Sequence, residues 1–390
     1  MIKNIYLDYA ATTPIREEVL LEMLPYFSER YGNPGSFHSK GLEAKNALDN
    51  ARQEIASLLN CSTKEIIFTS GGTESINLAI KGIALANKEK NHIITSKIEH
   101  PAVLNSCAYL EEIGFKVSYL DVDKYGKVNP KDVENSINER TSLVSIMYAN
   151  NEIGTIEPIK EIAEICKKKG VLFHTDACQA AGCLNLDIKY LGVDLLTING
   201  SKIYGPKGIG MLYLREGIEI VPLVHGGGQE SRLRSGTENV PYIVGFAKAL
   251  EIAQKNKDKE NARLSELRDY LIAKLLKIPK SRLNGHSTER LPNNVNISFM
   301  DVEGEAMLLY LNEMNIYAST GSACASKSLE PSHVLRAIGL SYEGAHGSIR
   351  FTLGKDSVKE YLDRVADAMP GIVKKLKKIS PVNLSMEHFT

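Results

Sequence analysis

The stretch Thr197-Ile-Asn-Gly-Ser-Lys-Ile-Tyr-Gly-Pro-Lys-Gly-Ile-Gly210 sets one lysine, Lys202, on a turn between two apolar runs. Val193-Asp-Leu-Leu-Thr-Ile198 leads in and Ile209-Gly-Met-Leu-Tyr-Leu214 leads out; both have the composition of strands. Gly205-Pro206 stiffens the turn between them. A lysine held there cannot wander like a surface lysine. A fixed amine is what Schiff-base chemistry requires, because it must meet a carbonyl in one orientation. A Gly-Pro-Lys-Gly turn is also a common solvated turn, so the function of Lys202 has to come from the residues that accompany it.

Outward from this turn the chain alternates. Ile66–Thr69, Ile93–Thr95, Val117–Leu120, Leu143–Met147 and Val171–His174 have strand character. Helical spacing runs from Thr73, from His100 to Ile113 and from Ile159 to Lys169. Such alternation predicts an α/β domain with a mostly parallel sheet, whose ligands bind beyond the carboxyl ends of the strands. Gly72-Thr73, His100, Asn151, Asp176, Gln179 and Lys202 all fall at such ends. Near the start, Glu17 to Tyr26 and Gly41 to Leu59 read as helices, with a Tyr31-Gly-Asn-Pro-Gly-Ser36 loop between them. Asn239 to about Lys255 reads as a helix, and Lys255 to Glu260 as a linker or a solvated helix. Beyond it the pattern is α+β: a helix over Leu264 to Leu276, a strand near Val295–Ser298 and a helix from Glu303 to Met314.

The 390 residues suffice for two domains, with 43% hydrophobic residues for the cores. Forty-seven basic residues balance 47 acidic ones, so no global field recruits nucleic acid or a membrane. No apolar run approaches a membrane span, and the Met-Ile-Lys-Asn start lacks a signal peptide's apolar stretch, which predicts a cytoplasmic protein. The six cysteines match no common zinc spacing, so no metal is expected and reduced thiols are.

Several residues carry chemistry on their own terms. Ser70-Gly-Gly-Thr-Glu-Ser75 joins a strand to a helix: glycine admits a ligand to the backbone and the helix start offers free N–H groups, a phosphate cradle or else a simple capping turn. Asp176 ends an apolar strand, where it suits either a pyridine nitrogen or a turn. His100, before Pro101, suits stacking or proton transfer, or capping. Cys324 lies in Ser319-Thr-Gly-Ser-Ala-Cys-Ala-Ser-Lys327, a small polar segment that reads as a mobile loop with an accessible thiol near Lys327. Arg350, inside the apolar Gly347-Ser-Ile-Arg-Phe-Thr-Leu353, needs a partner: a substrate carboxylate or a structural acid.

Together with Tyr6-Leu-Asp-Tyr-Ala-Ala-Thr-Thr-Pro14, Asn150-Asn-Glu-Ile-Gly154, His225-Gly-Gly-Gly-Gln-Glu230 and Arg234-Ser-Gly-Thr237, these motifs resemble, in order and over nearly the whole chain, the cysteine desulfurases. These are pyridoxal 5'-phosphate (PLP) enzymes of the class V aminotransferase group. The resemblance implies a fold-type I PLP-dependent transferase: a mostly parallel central sheet flanked by helices, with a smaller α+β domain. The large PLP-binding domain would span 15–258. The small domain, 1–14 with 259–390, would carry the catalytic cysteine loop. Lys202 would hold PLP covalently, Asp176 pair with the pyridine nitrogen, Gln179 with the phenolic oxygen, and His100 stack on the ring. Gly72, Thr73, Asn199 and Ser201 would bind phosphate, with Thr237 reaching it from the partner of a homodimer. Arg350, Asn33 and Asn151 would hold the substrate carboxylate. The Cys324 thiolate would take the sulfur of L-cysteine as a persulfide, releasing alanine, and pass it to an acceptor protein, an iron–sulfur scaffold or a tRNA-thiolation enzyme.

Two departures from the pattern stand out. The family carries Ser-x-His before the lysine where this chain has Asn199 and Ser201, which implies a looser phosphate grip. The residues after Pro381 do not resemble the longer scaffold-docking tail of housekeeping members, which points to a dedicated acceptor. A selenocysteine lyase, or a weakened homologue serving as a partner-bound sulfur-transfer subunit, shares the same motifs.

Overall fold

The computed structural model describes residues 4–321 and 330–379. Cys324 and the tail beyond Pro381 lie outside the described residues. Among the described residues, twelve strands run in chain order: β1 (Ile5–Tyr6), β2 (Ile66–Thr69), β3 (His92–Ser96), β4 (Lys116–Leu120), β5 (Thr141–Ser145), β6 (Leu172–Asp176), β7 (Leu195–Asn199), β8 (Gly210–Leu214), β9 (Ser281–Leu283), β10 (Asn294–Phe299), β11 (Ile316–Tyr317) and β12 (Ser348–Thr352). Between them lie α1 (Glu17–Met23), α2 (Pro25–Ser28), α3 (Ser39–Leu59), α4 (Gly72–Ala86), α5 (Pro101–Glu112), α6 (Pro130–Ser136), α7 (Ile159–Lys169), α8 (Ile188–Leu191) and α9 (Val240–Leu275). Helices α10 (Gly304–Glu313), α11 (His333–Ala337), α12 (Tyr342–His346) and α13 (Lys359–Ile379) follow.

Seven strands form the central sheet in the order β2-β8-β7-β6-β5-β3-β4. Strands β4, β3, β5, β6 and β7 pair in parallel, and β8 runs antiparallel between β7 and β2. The inner strands are buried on both faces, as helix-covered parallel strands must be, while edge strand β4 is partly exposed. The turn that opens the sequence reading is the β7–β8 hairpin, so Lys202 stands beyond the carboxyl end of β7, as the alternating pattern predicts.

A second core gathers Leu264, Leu271, Val295, Phe299, Met307 and Phe351 around the three-stranded sheet β12-β10-β9. Ile5 and Leu7 belong to it, because β1 pairs with β11. The Lys255 to Glu260 stretch does not interrupt the chain. Helix α9 runs 36 residues without a break; the stretch contains neither Pro nor Gly, and Lys248–Glu251 and Glu260–Arg263 pairs support its exposed face. Its first half packs Ile243, Phe246 and Leu250 into the sheet's core, its last half Leu271 and Leu275 into the second. The helix expected over Glu17 to Tyr26 is two short ones, broken before Pro25, which cannot donate to the preceding turn.

Arg290 ties the two cores. It is buried, with Nη1 donating to the Asn284 and His286 carbonyls and Nη2 to those of Ile153 and Asn294, at 3.1–3.3 Å. Arg290→Met is expected to leave these carbonyls without donors and to lower unfolding stability by about 3 kcal/mol. Urea denaturation reads this; a loss below about 0.5 kcal/mol, the ordinary surface range, would show that the arginine is not holding the junction.

Candidate active site

A cavity of about 540 Å³ opens beyond the carboxyl ends of the parallel strands. The ends of β2, β3, β5, β6 and β7 contribute. Gly72 and Thr73 follow β2, His100 follows β3, Met147, Ala149, Asn151 and Glu152 follow β5, Asp176 and Gln179 follow β6, and Asn199 and Lys202 close β7. Gly321, His333 and Arg350 line it from the other lobe. The structure thus brings together His100, Gly72, Thr73, Asp176, Gln179, Asn199, Asn151, Lys202 and Arg350. Asn33, Ser201 and Thr237 are not among the lining residues. Asn33 is exposed, with Oδ1 accepting from Gly35 N at 2.8 Å. Ser201 turns its carbonyl to Thr13 N, at 2.9 Å. Thr237 is exposed on a loop.

The segment Ala10-Ala11 crosses the cavity and takes two of its side chains. Lys202 Nζ donates to the Ala11 carbonyl. Gln179 Nε2 donates to Ala10 O at 3.0 Å. Asp176 is buried, and its Oδ1 accepts from Cys178 N at 2.9 Å. His100 caps α5 through Nδ1, which accepts from Ala102 N at 3.1 Å. Burial lowers its pKa, Asp176 opposes that and Lys202 adds to it, so the ring is neutral at physiological pH.

Arg350 has the structural acid that its buried position requires. Its Nη2 pairs with Asp8 Oδ1 at 2.8 Å, and Nη1 donates to Asn151 O and Gly321 O at 2.9 and 3.0 Å. The buried Nε–H has no hydrogen-bond partner. Asp8 is a residue that pattern reading passes over. It lies 342 positions from Arg350, and the parallel bridge between Asp8 and Thr352 brings the two together.

Glu99 and Glu152 also escape sequence reading, although Glu152 sits inside the Asn150 to Gly154 motif and Glu99 directly precedes His100. Ser332 Oγ donates to Glu152 Oε2 at 2.5 Å, and a Cβ on Gly321, itself at φ +107°, would stand 2.9 Å from the same oxygen. Glu152 thereby touches the residues on both sides of the undescribed 322–329 segment. Glu99 Oε1 accepts from Ser96 Oγ at 2.6 Å and Met147 N at 3.0 Å, while Oε2 has no partner. Burial pushes its pKa up to about 8, so it is held largely protonated at neutral pH.

His174, on β6, spans three strands: Nδ1 meets Ser145 Oγ at 2.8 Å and Nε2 meets Thr197 Oγ1 at 3.0 Å. Burial pushes its pKa from 6.5 down to about 4. The unfolded chain then binds a proton that the folded chain refuses. Stability from this group is complete above the unfolded value and is lost as pH falls toward the folded one, about 2 kcal/mol between pH 7.5 and 5. Glu99 has the opposite sign, since its stabilisation is lost as pH rises through about 8. The His174 contribution is therefore read against His174→Asn: its stability gap to wild type should narrow by about 2 kcal/mol from pH 7.5 to 5. A gap independent of pH would refute the neutral, buried histidine.

The described cysteines are free thiols. Burial pushes Cys61, Cys107, Cys166 and Cys183 up to about 12 and raises Cys178 well above its ordinary value. None of these five is a ready thiolate at neutral pH. Among the described residues no cluster of ligating side chains suits a metal ion, and no helix is long and apolar enough to cross a membrane.

The cavity has the parts that a phosphorylated pyridine aldehyde needs. At the α4 N-terminus a Cβ on Gly72 would lie 2.8 Å from Cys178 Sγ and 3.3 Å from Asn199 Nδ2, so only glycine leaves the cradle open. Asn199 places its Nδ2 donor at the same place. A carboxylate, Asp176, a neutral imidazole, His100, and an amine, Lys202, complete the donor set.

The class-V aminotransferase family model matches residues 5–365, and the chain belongs to that family. Within it, the chain is 56% identical over 381 residues to the cysteine desulfurase IscS of Methanosarcina thermophila, covering 97% of this chain and 94% of that protein. It is 52% identical over 386 residues to the cysteine desulfurase IscS of Clostridium botulinum, covering 98% and 97%. Among solved structures it resembles a NifS-like protein, with TM-score 0.88 and 40% identity over 97% of this chain and 99% of that one. SspA in complex with cysteine superimposes with TM-score 0.81 and 40% identity over 91% and 100%.

Proposed function

We propose that this protein is a PLP-dependent cysteine desulfurase that converts L-cysteine to L-alanine and passes the sulfur through a persulfide on Cys324. The observation that carries this reading is one cavity lined by Lys202, Asp176, His100, Gln179 and Arg350, in a chain more than half identical to a named cysteine desulfurase. PLP, held by Lys202, Asp176, Gln179, Asn199 and the α4 N-terminus, supplies an electron sink that acidifies the substrate Cα–H.

The chain's own residues do the rest. Arg350 receives the substrate carboxylate at the cavity wall, and Asn151, whose carbonyl already braces the same guanidinium, fixes the orientation. His100 stays neutral at working pH and serves for stacking and proton movement. Lys202, fixed on the β7–β8 turn, moves the α-proton once its amine is free. The Cys324 thiolate attacks the substrate sulfur: an S–S bond forms, the Cβ–S bond breaks, and the carbon is protonated to alanine.

A homodimer fits the surface. Leu21, Phe27, Tyr31 and Phe37 are exposed on neighbouring elements, Phe37 at 97%, an apolar area typical of an interface. Thr237, exposed outside its own chain's cavity, is the residue we assign to the partner's phosphate. Reduced thiols fit a cytoplasmic setting, with an iron–sulfur scaffold or a tRNA-thiolation enzyme as sulfur acceptor.

The test is alanine release from L-cysteine by PLP-loaded protein with a thiol reductant, beside Cys324→Ala. The variant should lose turnover at least about 100-fold while keeping the cofactor's absorbance. Undiminished turnover would remove Cys324 from the mechanism. Undiminished turnover of selenocysteine alone would favour a lyase.

A further inference from the structure

One acidic side chain stands beside the anion cradle. Glu74 lies in the first turn of α4, immediately after Gly72 and Thr73, which line the cavity. Its Oε2 accepts from Ser70 N at 2.7 Å, which holds it to the β2–α4 turn leading into the cradle. Its Oε1 accepts from Arg234 Nε at 3.0 Å, with the two side chains only 18% and 27% exposed. Burial alone would raise the Glu74 carboxyl; the hydrogen bonds from Arg234 and Ser70 outweigh it and hold it below its ordinary value, hence charged.

A strained, braced loop carries Arg234 to this place. Glu230, Ser231 and Arg232 follow one another at φ 44°, 57° and 67°. Left-handed backbone at consecutive non-glycine residues is unfavourable and persists only where its surroundings over-determine it. Here Glu230 is buried, pairs in two bonds with Arg52 at 2.6 and 3.0 Å, and accepts from Phe68 N at 2.9 Å. Further along, Arg234 bridges to Val224, and Ser235 Oγ donates to Gly227 O at 2.8 Å. The strain and its anchors deliver one guanidinium to one carboxylate.

Resting on the PLP reading above, we propose that Arg234 is a charge-balancing residue: it cancels Glu74 beside the cradle and so sets the affinity for a phosphate dianion. Without it, a carboxylate one residue from Thr73 repels the incoming charge in a partly shielded site. The expected cost is about 10- to 100-fold in affinity.

The experiment uses the full chain stripped of cofactor, as wild type, Arg234→Met, Glu74→Gln and the double variant. Equilibrium dialysis measures binding of PLP and of inorganic phosphate, and circular dichroism checks the fold. Arg234→Met should weaken both ligands by that factor. Glu74→Gln, which keeps an acceptor for Ser70 N, should bind phosphate at least as tightly as wild type. The double variant should return to within about 3-fold of wild type, since charge coupling is a pairwise effect. A double variant as weak as Arg234→Met would overturn the proposal in favour of loop shape. Unchanged affinity in Arg234→Met, or weakened binding in Glu74→Gln, would overturn it outright. Failure of the PLP reading has a different signature: wild type would take up neither ligand, and the proposal would fall with it.

Discussion

Lys202→Ala is expected to reduce alanine formation by at least about 10³-fold, because it removes at once the covalent hold on PLP and the amine that moves the α-proton. The lysine cannot be replaced from nearby. Its turn is fixed by hydrogen bonds from Gly205 N to Gly200 O and from Thr13 N to Ser201 O, at 3.0 and 2.9 Å, and the next lysine, Lys207, donates to Thr13 O rather than lining the cavity. Two readouts separate chemistry from folding: the absorbance of lysine-bound cofactor should vanish, while the circular dichroism spectrum should keep its form. Turnover within 10-fold of wild type would exclude Lys202 as the attachment point.

The second large effect is Asp176→Asn, expected to lower turnover by about 10²- to 10³-fold. A carboxylate stabilises a protonated ring nitrogen; an amide does not, so the electron sink weakens although the cofactor still binds. Asparagine can preserve the acceptor for Cys178 N, so the strand end should keep its shape. The expected signature is a loss in kcat with PLP content near that of wild type. Activity retained with full PLP content would mean that the nitrogen is served by another group.

Much of the site is legible in sequence because a parallel sheet converts order along the chain into proximity. Once Thr69, Ser96, Asp176 and Asn199 are recognised as strand ends, the residues after them must meet at one edge, and Gly72, His100, Gln179 and Lys202 do. Local rules fail where the deciding contact is distant. Nothing near Arg350 announces Asp8, and nothing in the Asn150 to Gly154 motif announces that Glu152 will receive Ser332. The Lys255 to Glu260 stretch has the charge density of a linker, yet it is held helical by cores at either end of the same rod. Asn199 and Ser201, which replace Ser and His in the resembling family, part company in the structure: Asn199 faces the Gly72 cradle, while Ser201 contributes a carbonyl to Thr13. The looser phosphate grip expected from these changes therefore concerns Ser201 more than Asn199.

The pairing of Ile5 with Ile316 sets a timetable for the newborn chain. At a synthesis rate of about 5–20 residues per second, roughly 15–60 s separate the exit of the first strand from that of its mate. During that interval Ile5 and Leu7 have no core to enter, and Ala10 and Ala11 are not yet fixed where Lys202 and Gln179 need them. The central sheet can close long before the ribosome finishes. The cavity cannot, so the grip on PLP is among the last features the molecule acquires, after translation has passed the small lobe.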